Sequence, residues 1–182
     1  MVTSRWNAAP QWILHQGAWW CCVLGPEPWG LIAMALFLLL HLGFNRPQFG
    51  AEALLVFAAT AIGFCVDGLL VHSGLVHYEG LQRLAQVPLW MLALWAGFGA
   101  TLRHSQHILV ATPPRALLVG ALGGPMAYAG GERLGPLSIE GVPGFLLIGI
   151  TWALALWLLA RLVDRLGREQ GPQLEEASAQ EQ

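Results

Sequence analysis

The chain has 182 residues, of which 55% are hydrophobic and only 11% are charged, and its mean hydropathy is +0.55. A soluble domain normally carries about a quarter charged residues, so this composition argues against a soluble protein and indicates a polytopic membrane protein. The net charge of −2 arises largely from the C-terminal tail and therefore says nothing about nucleic acid. We expect no nucleic-acid partner.

Apolar runs separated by short polar or proline-containing breaks predict six membrane-spanning helices. The runs extend over about residues 9–24, 29–44, 52–74, 88–109, 115–131 and 142–163. The breaks after the first, second and fourth runs contain Pro26, Pro47 and Pro113, and proline stops one helix or begins the next. A polar loop that includes Tyr78 and Arg83 follows the third run.

These runs predict an all-α membrane bundle in which residues 1–166 form one six-helix transmembrane domain. The acidic tail, residues 167–182, is rich in Glu and Gln and has almost no apolar side chains. Because such a segment has little apolar surface to bury, we expect it to be disordered.

The arginines predict the orientation of the helices. With six spans, both termini lie on one side, and that side collects most of the arginines. They are Arg5, Arg46, Arg103, Arg115, Arg161, Arg165 and Arg168, whereas Arg83 and Arg133 lie on the other side. By the positive-inside rule both termini are then cytoplasmic, so we predict a multi-pass protein of the bacterial inner membrane.

Small residues at four-residue spacing predict close contacts between helices. Gly120 and Gly124 share one face of the fifth helix. Ala59, Gly63 and Asp67 share one face of the third helix. Because such rows let backbones approach closely, we expect Asp67 to point into the bundle at the end of a close-contact groove.

Asp67 lies inside a predicted span, and lipid cannot solvate a carboxylate, so other helices must supply its partners. It follows the inner end of its span by about 15 residues, which places it in the outer half of the membrane. At comparable depth lie Trp90, Tyr128 and Arg133, and of these Tyr128 and Arg133 are the best candidates to bond the carboxylate. Two interpretations remain open: a structural contact that fixes helix packing, or a carboxylate that binds substrate or accepts a proton.

A second polar cluster is predicted in the inner half of the bundle. Its members are Gln16, His41, Thr101, His104 and Ser105, with His15 and Asn45 nearby. On the predicted fourth helix, Thr101, His104 and Ser105 fall on one face and form a polar stripe. His104 and His107 stand three residues apart, a spacing that suits a metal ion. Six scattered histidines do not form the repeated boxes of membrane di-iron enzymes, so we predict no metal and no cofactor.

Several motifs occur in order along the chain. They are Leu14-His-Gln-Gly-Ala-Trp-Trp-Cys-Cys-Val-Leu-Gly25, Gly63-x-x-x-Asp67, Pro88-Leu-Trp90, Leu94-Trp95, Thr101-Leu-x-His-Ser105 and Gly124-Pro-x-x-Tyr-x-Gly-x-x-x-Leu-Gly135. Together they resemble a bacterial family of small inner-membrane proteins known as domain of unknown function 2878. The resemblance covers about Trp6 to Arg165 and implies a compact membrane protein, but no catalytic residues, because the family has no assigned activity.

In the family that the chain resembles, the genes often stand beside those of cyclopropane-type lipid methyltransferases and flavin-dependent oxidases. The resemblance therefore implies an accessory factor in membrane-lipid modification or envelope stress, with membrane lipid and lipid-modifying enzymes as partners. Two alternatives remain open. One is a small transporter or permease that uses Asp67, and the other is a lipid-modifying enzyme with Asp67, His104 or Tyr128 as acid and base. The oligomeric state is open as well.

Overall fold

The structure of the chain is a computed structural model that describes residues 8–25 and 27–180, with side chains through residue 169. Its helices are α1 (Ala8–Leu24), α2 (Trp29–Phe44), α3 (Phe49–His72), α4 (Leu89–Thr101), α5 (Pro113–Leu134) and α6 (Gly141–Gln180). Short 3-10 helices at Arg46–Gln48 and His107–Val110 connect α2 to α3 and α4 to α5. Within the described residues the predicted all-α class is confirmed, whereas Arg5 and Pro26 lie outside them.

α3 packs against both α4 and α6, and its buried face follows the helical period. The buried residues are Glu52, Leu55, Ala59, Gly63, Val66, Asp67 and Leu70. Because they recur every three or four residues, they form one stripe along the helix. Gly99 of α4 lies directly against Leu55 and Ala59 in this stripe. Asp67 therefore points into the bundle, as predicted.

The segments after α3 and α5 contain short β-strands that the sequence analysis did not predict. The strands are β1 (Val76–Tyr78), β2 (Arg83–Leu84), β3 (Val87–Pro88) and β4 (Leu137–Ile139). β1 pairs antiparallel with β4, and β2 forms a hairpin with β3. Side chains of β1 and β4 alternate between buried and exposed, as the two-residue period of a strand requires. Tyr78 therefore faces the protein interior, although we expected it in a polar loop.

α4 ends at Thr101, well before the predicted end near residue 109, and the cause is the side-chain amide of Gln11 on α1. Nε2 of Gln11 donates to the carbonyl oxygen of Ala100 at 3.2 Å, and its Oε1 accepts from the backbone N–H of Ser105 at 3.0 Å. In a continuing helix these two backbone groups would bond to residues 104 and 101. Because Gln11 satisfies both, the chain leaves the helix after Thr101, and the predicted polar stripe on α4 does not form.

α5 packs against α6 through the glycines that the sequence singled out. A Cβ atom at Gly120 would collide with the backbone of Trp152, and one at Gly124 would collide with the Trp152 side chain. Gly135 caps the C-terminal end of α5, and its φ of +99° is a left-handed conformation that glycine adopts without strain. The predicted row of small residues is therefore part of a helix interface.

The backbone of α6 is helical to Gln180, whereas we expected disorder from residue 167. Residues 168–180 include Glu, Gln, Ala and Leu, which favour a helix, as well as Gly171 and Pro172, which disfavour one. At the start of this extension, the Arg168 guanidinium donates two hydrogen bonds to the Asp164 carboxylate, four residues earlier. Such a pair supports a helix. The predicted boundary of the tail therefore does not coincide with a helix end.

The outer surface of the helices is strongly apolar. The segments Arg46–His72 and Gly141–Glu169 have the length and composition needed to cross a membrane, and α2 and α4 are apolar but shorter. Large apolar side chains are exposed, including Phe57 at 71%, Met126 at 74% and Leu146 at 62%. Exposed apolar surface of this extent is unusual for a soluble monomer and is expected of helices that face lipid.

We expect Gln11→Leu to reduce the free energy of unfolding by about 2 to 4 kcal/mol, because two backbone groups at the end of α4 lose their partners. Gln82→Leu makes the same exchange at an exposed position and is the matched control. Both variants would be measured by unfolding in detergent micelles. Equal stability of the two variants would contradict the role of Gln11 in ending α4.

Candidate functional site

Asp67 is fully buried, and side chains from three other elements hydrogen-bond its carboxylate. The hydroxyls of Tyr78 on β1 and Tyr128 on α5 both donate to Oδ1, the former at 2.5 Å. The indole N–H of Trp95 on α4 donates to Oδ2 at 2.7 Å. Both oxygens therefore accept hydrogen bonds, which satisfies a carboxylate whose burial would otherwise be costly.

Local structure places each of the three donors. Gly63 precedes Asp67 by one helical turn, and the Trp95 ring lies where a Cβ atom on Gly63 would be. The absence of a side chain at Gly63 thus lets the indole reach the carboxylate. Tyr78 is directed inward by the alternation along β1, and Tyr128 lies on the buried face of α5.

Tyr78 acts as a donor because its phenol stays protonated. Burial, followed by the neighbouring Tyr128 and Asp67, raises the pKa of Tyr78 well above its usual range. The hydroxyl oxygens of the two tyrosines lie 3.4 Å apart, on the same carboxylate oxygen. Because both hydroxyls bond the same oxygen, the Asp67 carboxylate holds the two tyrosine rings in position. Asp67 itself is fully buried.

The residues predicted for the outer cluster have different surroundings. Tyr128 contacts Asp67, as expected. The expected contact with Arg133 is wrong, because Arg133 follows Tyr128 by five residues, about 140° around the helix, and is exposed. Trp90 is buried, but its indole N–H donates to the carbonyl oxygen of Glu79 at 2.9 Å. A functional role for this cluster stays a prediction.

Glu52 is the centre of the inner cluster, although in the sequence it marks only the start of the third predicted span. Its carboxylate is fully buried, at the opposite end of α3 from Asp67. Nε2 of His41 lies 3.1 Å from Oε2, and both Nε2 of His104 and Nη1 of Arg103 lie 3.1 Å from Oε1. The cluster therefore joins α2, α3 and the turn after α4.

Ligand atoms of His41, Glu52 and His104 lie within 4.8 Å of one another, which suggests a metal site. The hydrogen bonds argue against one. Nδ1 of His41 faces two amide donors, Nε2 of Gln11 at 3.2 Å and Nδ2 of Asn45 at 3.4 Å. Nδ1 is therefore the acceptor, and Nε2 carries the proton that Glu52 accepts. If a metal bound Nε2, the ring proton would have to move to Nδ1. That proton would then face the two amide donors, and Nδ1 could no longer accept from them.

Further hydrogen bonds fix the orientation of both amides. Oε1 of Gln11 accepts from a backbone N–H, and Nδ2 of Asn45 donates to the carbonyl oxygen of His41 at 2.8 Å. The cluster is therefore a hydrogen-bonded ion pair in which Arg103 compensates the charge of Glu52. These residues do not fit a bound metal, and the absence of one stays our prediction.

Of the residues predicted for the inner cluster, His41 and His104 meet at this carboxylate and the others do not. The Thr101 hydroxyl donates to a carbonyl oxygen of its own helix. The backbone N–H of Ser105 donates to Oε1 of Gln11, the side chain at the end of α4. Gln16 lines a separate cavity. The predicted cluster therefore divides between an ion pair, a helix end and a cavity wall.

A cavity of about 380 Å³ lies between α1, α4, α5 and α6. Its aromatic lining consists of Trp19, Trp20, Trp90, Trp95, Phe98, Tyr128 and Trp152. Its polar lining residues are His15, Gln16 and Gln106, and none of the described lining residues is charged. Because Trp95 and Tyr128 also bond Asp67, the carboxylate holds two walls of this cavity in place.

Sequence reasoning missed Gln11, Glu52, Tyr78 and Trp95 as parts of these clusters. A signal existed for Tyr78, because the segment from Val76 alternates in the manner of a strand, and for Glu52, an acidic residue in an apolar run. Gln11 and Trp95 carry no local signal, because their partners lie 89 and 28 residues away along the chain.

We expect Asp67→Asn to reduce the free energy of unfolding by about 1 to 3 kcal/mol, because the carboxylate accepts hydrogen bonds on both oxygens, one of them from the N–H donor of Trp95, whereas the amide that replaces it has a single acceptor oxygen. Trp95→Phe removes that donor, so Asp67→Asn should cost less in the Trp95→Phe background. A double-mutant cycle of unfolding in detergent measures the coupling. Additive effects of the two substitutions would contradict the hydrogen bond between these residues.

No curated protein and no solved structure matches the chain. The pattern of the family DUF2878, described as a protein of unknown function, matches residues 9–158. This range contains Glu52, Asp67 and every residue that lines the cavity. The match confirms the resemblance carried by the sequence motifs, and the chain belongs to the DUF2878 family.

Proposed function

We propose that the chain is a multi-pass protein of the bacterial inner membrane that binds a lipophilic molecule in its aromatic cavity. In this role it is an accessory factor in membrane-lipid modification or envelope stress, with membrane lipid and lipid-modifying enzymes as partners. The observation that carries the proposal is the cavity itself. Its volume of about 380 Å³ and its mainly aromatic walls are typical of sites for small apolar molecules.

Support for a membrane location comes from where the apolar and the charged side chains lie. Phe57, Leu118 and Met126 are exposed, whereas Glu52 and Asp67 are fully buried and hydrogen-bonded. A protein in water normally has the opposite distribution. A lipid environment favours apolar side chains on the outside and requires that polar groups be satisfied within the protein.

Contacts at the two ends of the bundle support helices that alternate in direction. The start of α1, the end of α2, the start of α3 and the end of α4 meet around Glu52. At the other end, Glu27 between α1 and α2 accepts hydrogen bonds from two backbone N–H groups in the loop before α4. Arg46 and Arg103 then lie at the end that the arginine bias assigns to the cytoplasm.

The contacts weigh against transport coupled through Asp67 and against acid–base catalysis that pairs His104 with Asp67 or Tyr128. Asp67 accepts three hydrogen bonds, so a substrate or a proton would have to displace a tyrosine or tryptophan donor. His104 bonds Glu52, about 22 Å along α3 from Asp67. His104 is therefore too far away to share an acid–base site with Asp67 and Tyr128, which contact each other.

We expect reporter fusions at Gln48, Ala111 and the C-terminus to indicate the cytoplasm, and a fusion at Gln82 to indicate the periplasm. The reason is the surplus of arginines next to the first three positions. Alkaline phosphatase and green fluorescent protein fusions, which are active on opposite sides of the membrane, measure the topology. A periplasmic signal from the C-terminal fusion would contradict it.

Filling the cavity should remove the proposed activity while the protein stays folded. Ala127→Phe adds a ring to the cavity lining, and Met126→Phe places a ring at the adjacent, outward-facing position as the matched control. In a strain that lacks the gene, we expect the wild type and Met126→Phe to restore the lipid profile. Ala127→Phe should fail to restore it, because the ligand no longer fits.

Mass spectrometry of total lipid extracts measures this profile, and immunoblotting of membranes measures the abundance of each variant. Two results would contradict the proposed function. One is a deletion strain whose lipid profile equals that of its parent. The other is an Ala127→Phe protein that restores the profile as well as the wild type at equal abundance.

A further inference from the structure

We infer that the ligand of the aromatic cavity is an uncharged lipophilic molecule with a hydroxyl or carbonyl oxygen that His15 and Trp152 hydrogen-bond. The inference rests on the proposed function, in which the cavity binds a lipophilic molecule, and it names the chemical class of that molecule. It is carried by polar atoms without partners and by the lack of charge in the cavity lining.

His15 lies in the cavity wall with 3% of its surface exposed, and neither ring nitrogen has a hydrogen-bond partner. The Gln16 amide is close enough to influence the ring but does not meet the geometry of a hydrogen bond. The buried indole N–H of Trp152, another lining residue, is close enough to the Tyr128 hydroxyl to influence it, but it likewise does not meet the geometry of a hydrogen bond. Because buried polar side chains are nearly always hydrogen-bonded, two such residues in one cavity indicate a partner that binds there.

Two other described residues have a buried side-chain oxygen without a partner, and both lie outside the cavity lining. They are Glu27 and Ser105. The second oxygen of Glu27 accepts two backbone hydrogen bonds, and Ser105 is engaged through its backbone N–H. His15 differs from them because both of its ring nitrogens lack a hydrogen-bond partner.

The lining disfavours a charged ligand group. None of the described lining residues is Arg, Lys, Asp or Glu, so an anion such as a phosphate would lack the cationic partner that it normally requires. The carboxylate of Asp67, bonded to Trp95 and Tyr128 of the wall, would also repel it. A cation would be attracted to the aromatic faces, but it offers no acceptor to the N–H of Trp152.

An uncharged oxygen matches the groups that are available. Neutral His15 offers one donor and one acceptor nitrogen, and Trp152 offers one donor. A hydroxyl group complements both kinds, and a carbonyl oxygen accepts from both donors. The apolar body of such a molecule would pack against Trp95 and Trp152, whose ring centroids lie 4.6 Å apart.

The test uses four probes with the same ring system at pH 7: naphthalene, 2-naphthol, 2-naphthoate and 2-naphthyltrimethylammonium. Full-length protein in lipid nanodiscs is titrated by equilibrium dialysis, and empty nanodiscs of the same lipid correct for partitioning. We expect saturable binding of 2-naphthol, about threefold to tenfold tighter than that of naphthalene, which corresponds to one net hydrogen bond. Neither charged probe should bind saturably.

His15→Phe and Trp152→Phe each remove hydrogen-bonding atoms while keeping an aromatic ring. We expect each to weaken 2-naphthol binding toward the level of naphthalene and to leave naphthalene binding unchanged. Retained naphthalene binding shows that the variant is folded. The matched controls are His72→Phe, at an exposed position, and Trp157→Phe, at a half-buried position on α6 next to Arg161. Both residues lie outside the cavity lining. Both controls should bind 2-naphthol as the wild type does.

The outcomes separate the inference from the proposed function. Equal binding of 2-naphthol and naphthalene, as a bound water on His15 would produce, overturns the inference and retains a lipophile-binding cavity. Tighter binding of either charged probe overturns the inference in the same way. The absence of saturable binding for all four probes overturns the inference and the proposed function together.

Discussion

A carboxylate buried in an apolar helix must find its hydrogen-bond partners inside the protein, and α3 carries two such carboxylates, Glu52 and Asp67. The same helix has a long apolar surface and therefore cannot supply those partners itself. Each carboxylate instead brings together elements that are distant along the chain. Glu52 gathers α2 and the turn after α4 at one end, where α1 joins through the bond of Gln11 to His41. Asp67 gathers β1, α4 and α5 at the other end.

The two ends meet this requirement with different chemistry. Around Glu52 the partners are a guanidinium and two imidazoles, and the guanidinium of Arg103 compensates the charge of the carboxylate directly. Around Asp67 all three donors are uncharged aromatic side chains. That choice has a structural consequence, because an aromatic donor extends an apolar ring away from the carboxylate. The rings of Trp95 and Tyr128 thereby become walls of the cavity.

Helix number, the inward direction of Asp67 and its contact with Tyr128 could be predicted because they depend on local period and on the cost of a charge in lipid. The end of α4 could not, since it is decided by Gln11, a residue 89 positions from its acceptor. The error on Arg133 arose from choosing a partner by charge and depth while ignoring its angle around α5. The strands were missed because β1 has only three residues and pairs with β4, far along the chain.

α1 shows how one helical face serves both structure and cavity. Gln11 and His15 are four residues apart and therefore share a face. The amide of Gln11 is used completely by α4 and His41. The ring of His15 is instead held by its carbon atoms, with Phe37 at a centroid distance of 5.5 Å and Gly97 leaving room beside Cδ2. Packing thus fixes the orientation of His15 while its nitrogens remain without partners, which is the arrangement that a site for a hydrogen-bonding lipophile requires.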